Sequence, residues 1–147
     1  PDGTTIGLGS VATLAIAPSL FPSLPYHPEN DFTFISGLWQ QPNLLFVTND
    51  LPARTVPELI SLLKRNPGRY TYGIGGIGTT PHLCGEMFKT RAGVDMPVVT
   101  YRGGAPALVD LMAGRIQVMF DNISGPIGAV RDGKARGLAV SSLQRNP

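Results

Sequence analysis

Short apolar runs alternate with helix-like segments over residues 70–141, and this alternation restricts the fold more than any other feature. The runs of strand length cover residues 70–74, 97–101, 117–120 and 137–141. The helical patterns between them cover residues 80–92, 105–113 and 127–131, and a glycine follows each one closely. Repeated strand–helix–strand units form parallel sheets with right-handed crossovers. The sequence therefore predicts an α/β fold.

The preceding part of the chain contains three more apolar runs of strand length: residues 5–9, 32–38 and 44–48. Ser10 is placed to cap a short helix that Pro18 would end. Thr55 and Glu58 form a capping box with a proline in the first turn, which predicts a helix from there to about Asn66. Each of these runs is an expectation for the structure to test.

Composition excludes several classes of protein. Hydrophobic residues make up 42% of the 147 residues and charged residues 15%, which suits a folded core and not a disordered tail. The net charge of +2 comes from scattered basic residues, whereas nucleic-acid binders concentrate them. No apolar run reaches the roughly 18–20 residues of a membrane helix. The single cysteine, Cys84, excludes an internal disulfide. It lies in an apolar stripe with Leu83, Met87 and Phe88, which predicts a packing role for these side chains.

Catalytic and metal-binding signatures are absent from the sequence. It contains neither a G-x-S-x-G nucleophile motif nor an H-E-x-x-H zinc motif. His27 and His82 share no pattern, and His82 with Glu86 reads as a surface contact on one helix face. These observations predict a binding protein without catalysis, metal or cofactor.

A glycine-rich loop, Gly73-Ile74-Gly75-Gly76-Ile77-Gly78, follows a predicted strand and opens a predicted helix. It matches the G-x-G-x-x-G pattern of dinucleotide sites. Such a site needs an acidic residue about 20 positions further on, but the next strand ends in Tyr101-Arg102. A nucleotide-binding enzyme that uses this loop stays open as the alternative function.

Two more loops are expected beside this one, because parallel strands bring their carboxyl ends to one edge of a sheet. Gly103-Gly104 follows the second strand of the series and Asp121 follows the third. Backbone N–H groups at helix N-termini bind small anions, carboxylates included. The sequence therefore predicts an anion-binding edge, against the simpler alternative of a glycine turn in which Thr80 is only a helix cap.

At these residues the chain resembles the extracytoplasmic solute receptors of tripartite tricarboxylate transporters, the Bug family of Gram-negative bacteria. The resemblance runs in order and spacing over essentially the whole chain. The matching segments are Pro1-Asp2-Gly3-Thr4-Thr5, Leu8-Gly9-Ser10, Pro25-Tyr26-His27-Pro28, residues 72–83, Tyr101-Arg102-Gly103-Gly104-Ala105-Pro106-Ala107-Leu108, Val118-Met119-Phe120-Asp121-Asn122 and residues 133–140.

The resemblance implies type II periplasmic-binding-protein lobes with parallel-rich sheets, one complete and the other partial. Residues 1–44 would form part of the first lobe with a crossing strand, residues 45–137 the second lobe, and residues 138–147 the return strand. Such receptors capture a small carboxylate in the periplasm and deliver it to membrane permease subunits.

The same resemblance implies a ligand site between the lobes. Its expected contacts are Ser10 and Thr13 from the first lobe, and Gly75, Gly78, Thr79, Thr80, His82, Arg102, Gly103, Ala105 and Asp121 from the second. The family's N-terminal strand, its Gly-Gly-x-x-Asp ligand loop and its C-terminal portion have no counterpart in the chain. We therefore expect either a longer parent protein or self-association that completes exposed sheet edges.

Overall fold

A computed structural model describes residues 3–145 and divides the chain into two compact units, Pro1–Gln40 and Gln41–Pro147. The first two residues of the matching segment Pro1-Asp2-Gly3-Thr4-Thr5 lie outside the described residues. The division into lobes at residues 44 and 137 stays a prediction. Among residues 3–145, no helix is both long and apolar enough to cross a membrane.

The first unit is mostly irregular. A π-helical segment, Ala12–Ile16, continues into α1, Ala17–Leu20, and a short α2 covers Pro28–Asp31. The prediction that Pro18 ends the helix was wrong, because helical structure continues past Pro18 to Leu20.

The strands expected at residues 5–9 and 32–38 are not formed. A strand is stable only beside a hydrogen-bonding neighbour, and neither run pairs with one in the described part of the first unit. Their apolar side chains stay exposed as a result: Ile6 is 80% and Ile35 81% accessible.

The second unit contains one five-stranded sheet in the order β3-β2-β4-β1-β5. Its strands are β1 Asn43–Val47, β2 Tyr72–Ile74, β3 Val98–Thr100, β4 Val118–Asn122 and β5 Arg136–Val140. β2 is parallel to both β3 and β4, as the strand–helix–strand pattern predicts. β1 runs antiparallel to β4 and β5, so the sheet is parallel-rich and not uniformly parallel.

Four helices cover the two faces of this sheet: α3 Val56–Arg65, α4 Thr80–Ala92, α5 Gly104–Met112 and α6 Ile127–Arg131. Residues of α3 and α4 pack with Leu45, Tyr72 and Phe120 in one core cluster. Residues of α5 and α6 pack with Phe46 and Met119 in the other. Strand residues alternate between the clusters because successive side chains point to opposite faces.

Helix α4 packs unusually close to the sheet. A Cβ atom at Gly85 would collide with the Tyr72 ring, so only glycine allows this approach. Cys84 and Phe88 pack against the core as predicted, but Leu83 and Met87 of the same expected stripe are 38% and 55% exposed. The apolar contact of α4 is therefore narrower than its sequence suggests.

Tyr72 is fully buried, and its hydroxyl donates a hydrogen bond to Glu86 of α4. This bond lowers the pKa of Glu86, while burial, followed by the contact with Glu86, raises the pKa of Tyr72. Because the pKa of Glu86 is lower in the folded protein, the bond stabilises the fold above the ordinary pKa of a glutamate. That contribution disappears as the pH falls through the folded-state pKa.

We expect Tyr72→Phe to lower the free energy of unfolding by roughly 1 kcal/mol at pH 7, a small value because Glu86 is partly exposed. The difference from wild type should shrink as the pH falls. Urea unfolding at several pH values measures both. Tyr70→Phe is the matched control, since the Tyr70 hydroxyl has no hydrogen-bond partner in the described chain. Equal losses in the two variants would contradict the assignment.

Candidate anion-binding site at the carboxyl ends of the strands

The loops after β2 and β3 are joined through their backbones. The Gly103 amide donates to the Gly75 carbonyl oxygen at 3.0 Å, directly beyond the bond from Tyr101 N to Ile74 O at 2.9 Å. A Cβ atom at Gly75 would lie 2.8 Å from the Gly104 nitrogen, so a side chain there would push the loops apart. The N-termini of α4 and α5 are therefore held side by side.

Several polar groups of the first loop bond within the loop itself. Thr79 is the N-cap of α4: its Oγ1 accepts a hydrogen bond from His82 N at 3.4 Å and donates one to Gly76 O at 2.8 Å. The Gly78 amide donates to His82 Nδ1 at 3.2 Å. The cap expected at Thr80 in the simpler alternative belongs to Thr79 instead. These bonds fix the loop's shape.

The amides that begin the two helices are free by contrast. Within residues 3–145, the N–H groups of Thr80, Gly104 and Ala105 donate to no other group of the chain, and no side chain caps α5. The first N–H groups of a helix have no partner inside it and carry the positive end of its dipole. The adjacent N-termini of α4 and α5 therefore present at least three N–H donors suited to an anion.

Asp121, at the end of β4, lies against the beginning of α5. A Cβ atom at Gly104 would collide with its Oδ2, and one at Gly125 would lie 3.4 Å from the same oxygen. Burial raises the pKa of Asp121, and the hydrogen bond that its Oδ1 accepts from Asn122 N at 2.8 Å opposes this shift. The carboxylate of Asp121 therefore occupies the space that a side chain at Gly104, the first residue of α5, would fill.

The structure brings together the predicted site residues of the second unit. The contacts above join the loop of residues 75–82, the segment from Arg102 to Ala105, and Asp121. The Arg102 side chain is exposed. In the first unit, Ser10 and Thr13 bond to each other: Thr13 Oγ1 donates to Ser10 O at 3.1 Å and accepts from Ser10 N at the same distance.

The sequence predicts that the segment from Gly103 to Ala105 supplies amides to the site, but it does not single out Gly104. This glycine supplies a free N–H and lets Asp121 approach the helix, since a Cβ atom at Gly104 would meet atoms of Asp121. The available signal was a glycine as the first residue of a helix, because a residue without a side chain allows such a close approach. Among residues 3–145, no group of three or more His, Cys, Asp or Glu side chains could hold a metal ion.

Comparison with known proteins assigns the chain to a family. The family model described as the tripartite tricarboxylate transporter family receptor matches residues 1–147. BugT of Bordetella pertussis is 32% identical over 146 residues, which are 99% of this chain and 45% of that protein.

Two solved structures from Rhodopseudomonas palustris share the fold. One, Rpa4515 with adipate, is 38% identical with a TM-score of 0.82 and aligns over 85% of this chain and 42% of its own. The other, MatC with bound malate, is 28% identical with a TM-score of 0.85 and aligns over 93% of this chain and 47% of its own.

The chain belongs to the tripartite tricarboxylate transporter receptor family, whose members are solute-binding receptors. It spans less than half the length of the relatives that it matches. The predicted periplasmic-binding-protein fold is confirmed. The comparisons do not support the nucleotide-binding alternative.

We expect Gly75→Ala to destabilise the second unit by about 1–3 kcal/mol, because the new methyl group meets backbone atoms of Gly103 and Gly104 that cannot move independently. Thermal unfolding measures the loss. Gly128→Ala is the matched control: a Cβ atom there meets nothing within 4 Å, and alanine favours the helix by up to about 1 kcal/mol. An unchanged melting temperature for Gly75→Ala would show that the loops are not locked together.

Proposed function

We propose that this chain forms part of a periplasmic receptor that binds a small dicarboxylate for a tripartite tricarboxylate-type transporter and performs no chemistry. The observation that carries the proposal is the pair of adjacent helix N-termini with free N–H groups at Thr80, Gly104 and Ala105. The relatives solved with adipate and malate both hold dicarboxylates, which supports the ligand class.

In this proposal one ligand carboxylate accepts hydrogen bonds from the free amides at the beginning of α4 and α5. Each helix terminus contributes about 0.3–1 kcal/mol, and more when the site is enclosed. The negatively charged Asp121 side chain repels the ligand's carboxylate. The ligand's carboxylate is therefore directed towards Thr80, at the beginning of α4. The exposed Arg102 is the cation within the cluster that could pair with the ligand's other carboxylate.

The hydroxyl of Thr79 and the ring of His82 act indirectly in this proposal. Both are bonded within the loop, so they hold the amides in place and need not touch the ligand. Ser10 and Thr13 remain proposed contacts from the first unit. The partners of such a receptor are the membrane permease subunits of its transporter.

We also propose that the isolated chain self-associates through the first unit. Its exposed apolar side chains are large and close in sequence: Phe34, Ile35, Leu38 and Trp39 are all at least 64% accessible. Exposed apolar runs of β-forming residues pair readily with other chains. Sedimentation velocity should show species larger than a monomer that grow with concentration, and a monomer at every concentration would contradict the proposal.

Nuclear magnetic resonance is the direct test of the ligand site, because it detects weak binding. Adipate or malate added to the labelled chain should shift the amide signals of Thr80, Gly104 and Ala105 with saturation. Shifts only with NADP would favour the nucleotide alternative, and no shift at these amides with any dicarboxylate would contradict the proposed site.

Two variants at Thr80 separate the backbone amide from the side chain. Proline suits the first position of α4, since Thr79 is extended, so Thr80→Pro removes the N–H with little strain. Thr80→Val removes only the hydroxyl. We expect Thr80→Pro to weaken binding about tenfold, as for one hydrogen bond to a charged group, and Thr80→Val to weaken it less. The melting temperatures of both variants show whether they fold. If both are folded and bind the dicarboxylate with equal affinity, the Thr80 amide is not a contact.

A further inference from the structure

A second concave surface lies on the sheet face that α3 and α4 cover, with a volume of about 410 Å³. We call it the α3–α4 groove. Its walls are mainly apolar and include Leu45, Val56, Ile60, Phe88, Phe120 and Ala139. The Phe88 and Phe120 rings lie 5.7 Å apart between centroids at an angle of 54°. This volume is within the range of small-molecule sites, about 300–1,000 Å³.

A buried polar group with an unmet bond lies at one end of the groove. Asn43 is only 8% exposed, and its Nδ2 donates to Cys84 Sγ at 3.3 Å, a weak acceptor. Its Oδ1 is the buried side-chain atom without a hydrogen-bond partner among the described residues. An unpaired buried acceptor costs about 1–3 kcal/mol and calls for an explanation.

A cation lies towards the other end. Arg91 also lines the groove, and it follows Cys84 by seven residues on α4, roughly 10 Å along the helix axis. The Arg91 side chain is exposed, and within residues 3–145 it forms no ion pair. The groove therefore combines a hydrogen-bonding group, two aromatic rings and a positive charge.

We propose that the α3–α4 groove binds an aromatic hydroxy acid. The ring lies against Phe88 and Phe120, the hydroxyl bonds to the Asn43 amide, and the carboxylate pairs with Arg91. A benzene ring needs a cavity of about 150 Å³, which leaves space for both substituents. Offset contact with two aromatic rings favours an aryl group over an aliphatic chain.

The unpaired Oδ1 of Asn43 is the reason for proposing a hydroxyl group on the ligand. This Oδ1 is covered, so the amide must turn about its terminal bond to meet a ligand, and this turn breaks only the bond to Cys84. A hydroxyl both donates and accepts, so it satisfies whichever amide atom then faces the groove. This site shares no residue with the helix N-termini and does not depend on the dicarboxylate proposal.

Titration of the labelled chain with 3-(4-hydroxyphenyl)propionate tests the inference. We expect saturable shifts of the side-chain signals of Phe88, Phe120 and Ala139, and none at the amides of Thr80 and Ala105. The analogues 3-phenylpropionate, which lacks the hydroxyl, and 3-(4-hydroxyphenyl)propan-1-ol, which lacks the acid, should each bind several-fold more weakly.

Arg91→Gln should weaken binding of the hydroxy acid roughly fivefold to tenfold and leave binding of the alcohol unchanged. Arg131→Gln, the same charge change at the exposed end of α6, is the matched control and should change neither. The proposal would be overturned if all three compounds bound equally or if no signal shifted. It would also be overturned if only the Thr80 and Ala105 amides shifted, and that result would leave the dicarboxylate site intact.

Discussion

The backbone contact between Gly75 and the Gly103-Gly104 pair is the interaction on which the candidate site depends. It brings two helix N-termini to one place, and neither terminus could approach the other with a side chain at Gly75. The unpaired N–H groups of a single helix N-terminus form a weak anion site. Two adjacent N-termini offer more N–H donors to the same anion, and the positive ends of both helix dipoles act on it. Asp121 then fills the space behind α5, so the site is bounded by backbone on one side and a carboxylate on the other.

Polar groups in this region divide into two roles. The side chains of Thr79 and His82 bond within the loop, and the amides at the beginning of the helices remain free. A site made of backbone amides recognises a carboxylate without reading the rest of the molecule. Adipate and malate, with which two relatives are solved, are both carboxylates that differ in the rest of the molecule.

Local sequence signals predicted most elements of the second unit. The α4 helix begins and ends where Thr79, Pro81 and Gly93 place its caps, and Thr55 accepts the predicted bond from Glu58 N. The sequence failed where a long-range partner decides the outcome. Residues 32–38 have strand-forming side chains but no neighbour to pair with. The direction of β1, opposite to that of the other strands, shows only in its pairing with β4 and β5, far along the chain.

The sequence alone determined the α/β class and the order of elements in the second unit, because caps, glycine stops and apolar periodicity are local properties. The family followed from the resemblance of motifs along the chain. The sequence also predicted which loops meet at the edge of the sheet, because parallel strands joined by crossovers have their carboxyl ends at the same edge. Only the tertiary structure decided which groups there remain free. Whether a hydroxyl or amide already has a partner depends on distances of a few ångströms between residues such as Gly78 and His82, or Gly75 and Gly103, and periodicity carries no such information.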